Sequence, residues 1–410
     1  MSKSETLGAT RDVAIGHLRA FITLLVVFHH AVLPYQAGRP PLASSLEAQP
    51  MLWTAFPVID ASGWSGFDLV VGWDDVFFMS LMFFVSGLFA WPSLRKKGSS
   101  RFVRDRAWRL GVPFAASALV LAPLAYYPSF LQITHASGSA AGGFWSEWLS
   151  LPSWPAGPAW FLWVLLVLDG VSALLFRAAP RAGDALGHLA GKVERPIAFF
   201  AAMVTVGALV YLPMARVIEP LSWVSVGPFF LQASRAVLYA VWFFAGVGVG
   251  ANGIGRGLLL PGGRLARRWW AWALASVVSF VVEIVLVVAI FGAIGKGAAP
   301  SRALLDGANL GFVISCASSC LALLAMFVRF ARPRAFFDGL ARNAYGMYLT
   351  HYVFVSWLAY ALLPVLAPAV AKGTLVFIGA AALSWLAVSA ARRVRAMLTR
   401  PSAMACTGTE

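Results

Sequence analysis

Apolar runs of about membrane-spanning length recur along this whole chain, and no other feature limits its fold as strongly. A hydrocarbon core of ~30 Å needs about 20 apolar residues per helical crossing. Such runs fall near 18–35, 76–92, 110–127, 158–176, 196–214, 229–251, 269–295, 310–330, 344–370 and 374–391. They are continuous rather than alternating with polar residues, which predicts helices and not barrel strands. The expected fold is an all-α polytopic membrane protein with about ten transmembrane helices. Composition excludes a soluble domain of this length: 60% of the 410 residues are apolar and 12% are charged, and the mean hydropathy is +0.76.

The net charge of +15 follows the same plan. Of the 32 Lys and Arg, all but Arg39, Arg216, Arg235, Lys296, Arg302 and Lys372 lie in the N-terminal segment, the even-numbered breaks between runs, or the tail. That bias predicts both termini in the cytoplasm. It accounts for the charge without a nucleic-acid partner. The first outer loop is acidic, with Glu47, Asp60, Asp68, Asp74 and Asp75 set against Arg39. Cys316 and Cys320 lie one helical turn apart within a span and Cys406 lies in the tail, so no disulfide framework is expected. The first run lacks a small-residue cleavage pattern and reads as a retained span. The short breaks leave a single transmembrane domain over 1–400 and a short cytoplasmic tail over 401–410.

Ionisable side chains are costly inside a membrane and mark polar cavities or partners. In the first run Arg19 stands near one end and His29 and His30 near the other. At ~100° and ~1.5 Å per residue, eleven positions return to within about 20° of the same direction, ~16 Å along the axis. Arg19 and His30 therefore share a face, with His29 ~80° away from it. A neutral imidazole can accept a proton from a hydroxyl that attacks a carbonyl, and a guanidinium can hold an anionic donor at the cytoplasmic mouth. The plainer reading of such a histidine is an interhelical hydrogen bond.

Five ordered segments resemble the integral-membrane acyltransferases of acyltransferase family 3. They are Arg19 with His30; the aromatic run Met79 to Gly87; Arg101, Arg104, Arg106 and Arg109 leading to Pro113; Pro158-Ala159-Trp160-Phe161-Leu162-Trp163; and Asn343 to His351. The second segment is closest to the glucan-modifying, succinyltransferase-like branch. The resemblance covers nearly the whole chain. It implies an O-acyltransferase of the bacterial cytoplasmic (inner) membrane that takes an acyl group from a cytoplasmic thioester such as acyl-CoA to a hydroxyl of a sugar or glycan. It also implies that His30 is catalytic and that Arg19 contacts the donor. Acetyl and succinyl are the favoured acyl groups. Many relatives carry an acid three residues before the motif arginine, where this chain has Gly16; Asp12 is a substitute candidate.

Donor phosphates suit planar guanidinium forks, so Arg106 and Arg109, with Arg104, are the expected donor-binding group. The positive-inside bias alone would also place these arginines there. Auxiliary candidates are His29, Trp160, Tyr345, His351 and Glu283. Asp169, Arg235 and Glu283 lie within spans and are expected mainly to pair across helices. His17, His135 and His188 read as solvated, and no clustered ligands predict a metal site. No bound cofactor is expected, acyl-CoA being a co-substrate, and the oligomeric state stays open. A phosphate loop, a paired-histidine zinc motif and a Gly-x-Ser-x-Gly elbow are all missing from the sequence, so a serine nucleophile has no support. The rival reading is a transporter or flippase of a glycan or lipid-linked sugar. No clear repeat between the two halves favours it.

Overall fold

The computed structural model describes residues 3–48, 58–138, 143–192, 195–220 and 222–398. The tail over 401–410, Cys406 and the side chain of Asp12 lie outside the described residues.

Ten long helices follow in chain order. They are α1 (Lys3–Val32), α2 (Ser65–Lys97), α3 (Ser99–Ser137), α4 (Trp160–Ala178), α5 (Pro196–Val217), α6 (Ala236–Asn252), α7 (Trp269–Gly295), α8 (Arg302–Phe330), α9 (Ala335–Ala361) and α10 (Ala369–Leu398). Among the described residues nine helices are long and apolar enough to cross a membrane, and α9 is the one that is not. Its 27 residues would span ~40 Å. Its apolar character is diluted by Asn343, Tyr345, Tyr348, His351, Tyr352 and Ser356, most of which face inward. The protein is thus an all-α polytopic membrane protein.

Two local features depart from simple apolar runs. The run at 229–251 does not begin as a helix: β1 (Trp223–Val226) and β2 (Phe229–Gln232) form an antiparallel hairpin with Trp223 opposite Gln232. Gly227 turns the chain at φ +56°, a conformation open to glycine. The flanking valines and aromatics suit a pleated strand, so apolar content alone misassigned 229–232. The Trp163 indole N–H donates to the Phe230 carbonyl at 3.1 Å and fixes the hairpin on α4. In α3, π-helical turns at Ala107–Gly111 and Ser117–Leu121 interrupt the α-helix. A π turn shifts the direction of every side chain on one side of it relative to the other.

The centre of the bundle is set by glycines. A Cβ on Gly87 would lie 2.1 Å from the Phe243 carbonyl oxygen, one on Gly246 2.1 Å from that of Phe84, and one on Gly250 2.1 Å from that of Leu88. Helices α2 and α6 therefore touch backbone to backbone, the approach that small residues permit in membranes. Helix α8 is the most enclosed span and α7 the least. Helix α1 packs against α2, α8, α9 and α10, which puts its histidines inside the protein. Cys316 and Cys320 are both free and buried.

On the side opposite the basic segments, the first loop is tied down by Arg39, which donates to the carbonyls of Gln36, Asp60 and Ala61, each at 2.6 Å. Asp60 accepts from the buried Lys372 of α10 at 2.8 Å. Asp68, Asp74 and Asp75 lie in α2 and not in this loop, contrary to the sequence reading. The helix starts at Ser65, before the purely apolar stretch, with Asp74 fully buried and Asp75 partly exposed.

Candidate active site

Helix α1 runs unbroken through Arg19 and His30. Pro34 lacks the N–H that would reach the His30 carbonyl, and α1 gives way there to a short turn of 3₁₀ helix. The face of α1 that carries Arg19 continues through Ile22, Thr23, Val26 and His30, all buried, whereas Arg19 itself is exposed. Arg106 of α3 lies within electrostatic reach of Arg19.

At the other end, His30 Nδ1 lies 2.7 Å from the Val26 carbonyl oxygen. A carbonyl can only accept, so Nδ1 carries the proton and Nε2 the basic lone pair. His351 is held in the same way, with Nδ1 donating to the Tyr348 carbonyl at 2.7 Å. Its Nε2 lone pair faces His30 Nδ1 at 3.3 Å. A backbone carbonyl thus fixes each tautomer, His351 Nε2 is a second acceptor for the His30 Nδ1 proton, and no described residue hydrogen-bonds Nε2 of His30. The Tyr352 ring meets His30 edge-on at 5.4 Å. Tyr126 of α3 packs on Tyr352 in turn, at 5.6 Å.

His29 diverges from His30 as helical geometry requires, but it stays in the same cluster, the two rings lying 5.1 Å apart edge-on. Its Nδ1 meets Oδ1 of the fully buried Asp74 at 2.7 Å. Sequence reasoning missed Asp74 by assigning it to a loop. The available signal was a pair of carboxylates less than one turn ahead of an apolar run. Tyr126 and Tyr352 were missed as well, since aromatics within spans are usually packing.

The α2, α4 and α9 motif segments are joined by contacts beside this cluster, whereas the α3 arginines lie apart. The Tyr348 hydroxyl donates to the Pro158 carbonyl, joining α9 to the turn that opens α4. Phe83 of α2 packs on Trp160 and Phe161. Trp160 is buried among Phe83, Trp223 and Tyr239, away from the imidazoles. A narrow crevice of about 20 Å³, room for roughly one water, runs along Pro158, Tyr348 and Tyr352.

The arginines of α3 separate from one another. Arg106 Nε lies 3.1 Å from Oδ2 of the buried Asp169 in α4, and its guanidinium stands 5.0 Å over Phe102. Arg101, Arg104 and Arg109 are exposed. The π turn after Arg106 breaks the α-helical spacing that would have put Arg106 and Arg109 on one face. Tyr345, also exposed, donates its hydroxyl to the Arg109 carbonyl at 2.5 Å.

A second polar group joins the buried Arg235 to the partly exposed Asp75, the residue next to Asp74. Its carboxylate binds Arg235 at 2.8 Å, and Arg235 stands 4.6 Å over the Phe312 ring. The buried Glu283 of α7 is within electrostatic reach of both. His17, expected to be solvated, is buried and lies 2.8 Å from Asp338 of α9. Its place at the end of α1 suggested water, but the start of α9 covers it. Among the described residues no group of three or more His, Cys, Asp or Glu is arranged to hold a metal ion.

A helical membrane bundle with paired imidazoles buried between α1 and α9 defines an intramembrane polar centre. A family model described as an acyltransferase domain matches residues 12–389, and the chain belongs to that family, acyltransferase family 3. No curated protein and no solved structure matches the chain.

Proposed function

We propose that this acyltransferase is an O-acyltransferase of the bacterial cytoplasmic membrane, moving acetyl or succinyl from acyl-CoA to a sugar or glycan hydroxyl. The observation that carries the reading is the state of His30, its Nδ1 committed to a backbone carbonyl and its Nε2 left as a free base. Nε2 takes the proton of the acceptor hydroxyl as that oxygen attacks the thioester carbonyl. The C–S bond then breaks, and the thiolate leaves with the proton returned from the imidazolium. The C-terminal end of α1 favours the positive charge that His30 carries between those events.

Arg19 and Arg106 supply positive charge at the mouth for the donor phosphates, with Arg104 and Arg109 exposed nearby. His351 acts through His30 by holding its tautomer, and Asp74 with His29 fixes the neighbouring wall. The acceptor reaches the His30 end from the opposite side of the membrane. The glucan-modifying branch of the family remains the favoured source of that acceptor, on the sequence of the α2 motif.

The direct test is acyl transfer by purified protein from labelled acetyl-CoA and succinyl-CoA to glycans extracted from the envelope. Mass spectrometry of envelope glycans from cells with and without the gene identifies the acyl group by its mass. Glycan movement that is independent of acyl-CoA, without any mass change, would replace this reading with the transporter.

A further inference from the structure

An open groove of about 940 Å³ lies away from His30, between the start of α5, the short helix Arg264–Arg267 and the start of α7. Four arginines line it: Arg195, Arg264, Arg267 and Arg268. All are exposed, and among the described residues none of them pairs with a carboxylate. Beyond this basic rim the wall turns apolar, with Ile197 and Ala201 from α5 and Trp272 from α7. Trp272 is buried and rests on Phe200 at 5.5 Å.

Three properties of the groove select one occupant. The rim concentrates unpaired guanidiniums, which match phosphate oxygens. The wall beneath them is apolar over a turn or more of two helices and suits a hydrocarbon chain. Both helices are among the least enclosed of the fold, so the groove faces the bilayer and not the centre of the bundle. A soluble nucleotide would meet the arginines but leave the apolar wall uncovered. An amphiphile covers both. The bias of the basic residues assigns this end of the bundle to the cytoplasmic leaflet, where anionic lipids gather.

We propose that this groove is a binding site for an anionic phospholipid, its phosphate held by Arg195, Arg264, Arg267 and Arg268 and an acyl chain laid along Ile197, Ala201 and Trp272. The site is independent of the His30 cluster and of the acyl-transfer reading.

The test uses the full chain purified in mild detergent, with phosphatidylglycerol and phosphatidylcholine as probes and native mass spectrometry as the readout. The unmodified protein is expected to retain phosphatidylglycerol in preference to phosphatidylcholine. The triple variant R264Q/R267Q/R268Q is expected to bind it at least about tenfold more weakly, because each cation near an anionic headgroup contributes separately. A second variant, A201W, fills the apolar wall while leaving the rim intact, and is expected to lose retention too. Equal retention of the two lipids, or undiminished phosphatidylglycerol binding in both variants, overturns the proposal. Displacement of the bound lipid by free CoA at concentrations that saturate acyl transfer would also overturn it, by making the groove a donor site.

Discussion

His30 and Asp74 are both buried inside the bundle, and they fail in different ways when replaced. Removing a general base costs typically 10²–10⁴-fold in rate, so His30→Ala is expected to lose at least about a hundredfold in acyl transfer while keeping its fold. Full activity in purified His30→Ala would eliminate the mechanism. Asp74 is bonded to His29 with no exposure at all, and stripping one partner from a buried pair costs about 3–5 kcal/mol. Asp74→Leu is therefore expected to lower the unfolding temperature in detergent strongly, and the double replacement His29→Leu with Asp74→Leu to cost less than Asp74→Leu alone. A double-mutant cycle by thermal unfolding measures this, and additivity of the two single changes would show that the pair is not coupled. The pairing of Arg19 with His30 was legible because helical periodicity needs only their separation. The bond to Asp74 was not, because it depends on where α2 begins and on which of its faces meets α1.

At the scale of elements, the glycine contacts between α2 and α6 leave no room for any side chain. Gly246→Val would push two γ-methyls and a Cβ into the Phe84 carbonyl, so the helices must separate. The expected result is loss of folded protein, read as an aggregated profile on size exclusion; Gly292→Ala, in open space on α7, serves as the tolerated control. A well-folded Gly246→Val protein would contradict this close crossing. The helices themselves were readable from apolar runs, since a membrane leaves the backbone few choices. The hairpin at 223–232 and the π turns of α3 were not. A strand of four residues and a turn widened by one residue leave the same apolar composition as a helix.

For the whole molecule, α9 decides the topology. It is the long helix that falls short in apolar content, yet it supplies Tyr348 and His351 and packs against α1 and α10. Polar residues that face protein are not charged against the membrane in the way that lipid-facing ones are. If α9 crosses, the ends share the cytoplasm, and a green fluorescent reporter fused after the tail should fluoresce while an alkaline phosphatase fusion stays inactive. The reverse pattern would mean that α9 does not cross. Asp74 and Asp75 carry a last consequence for how such a bundle can move. Adjacent on α2, they point to different partners, one holding α1 through His29 and the other holding Arg235 at the foot of α6. Turning α2 by even one residue would unseat both ion pairs together, so it serves as the fixed axle of the machine.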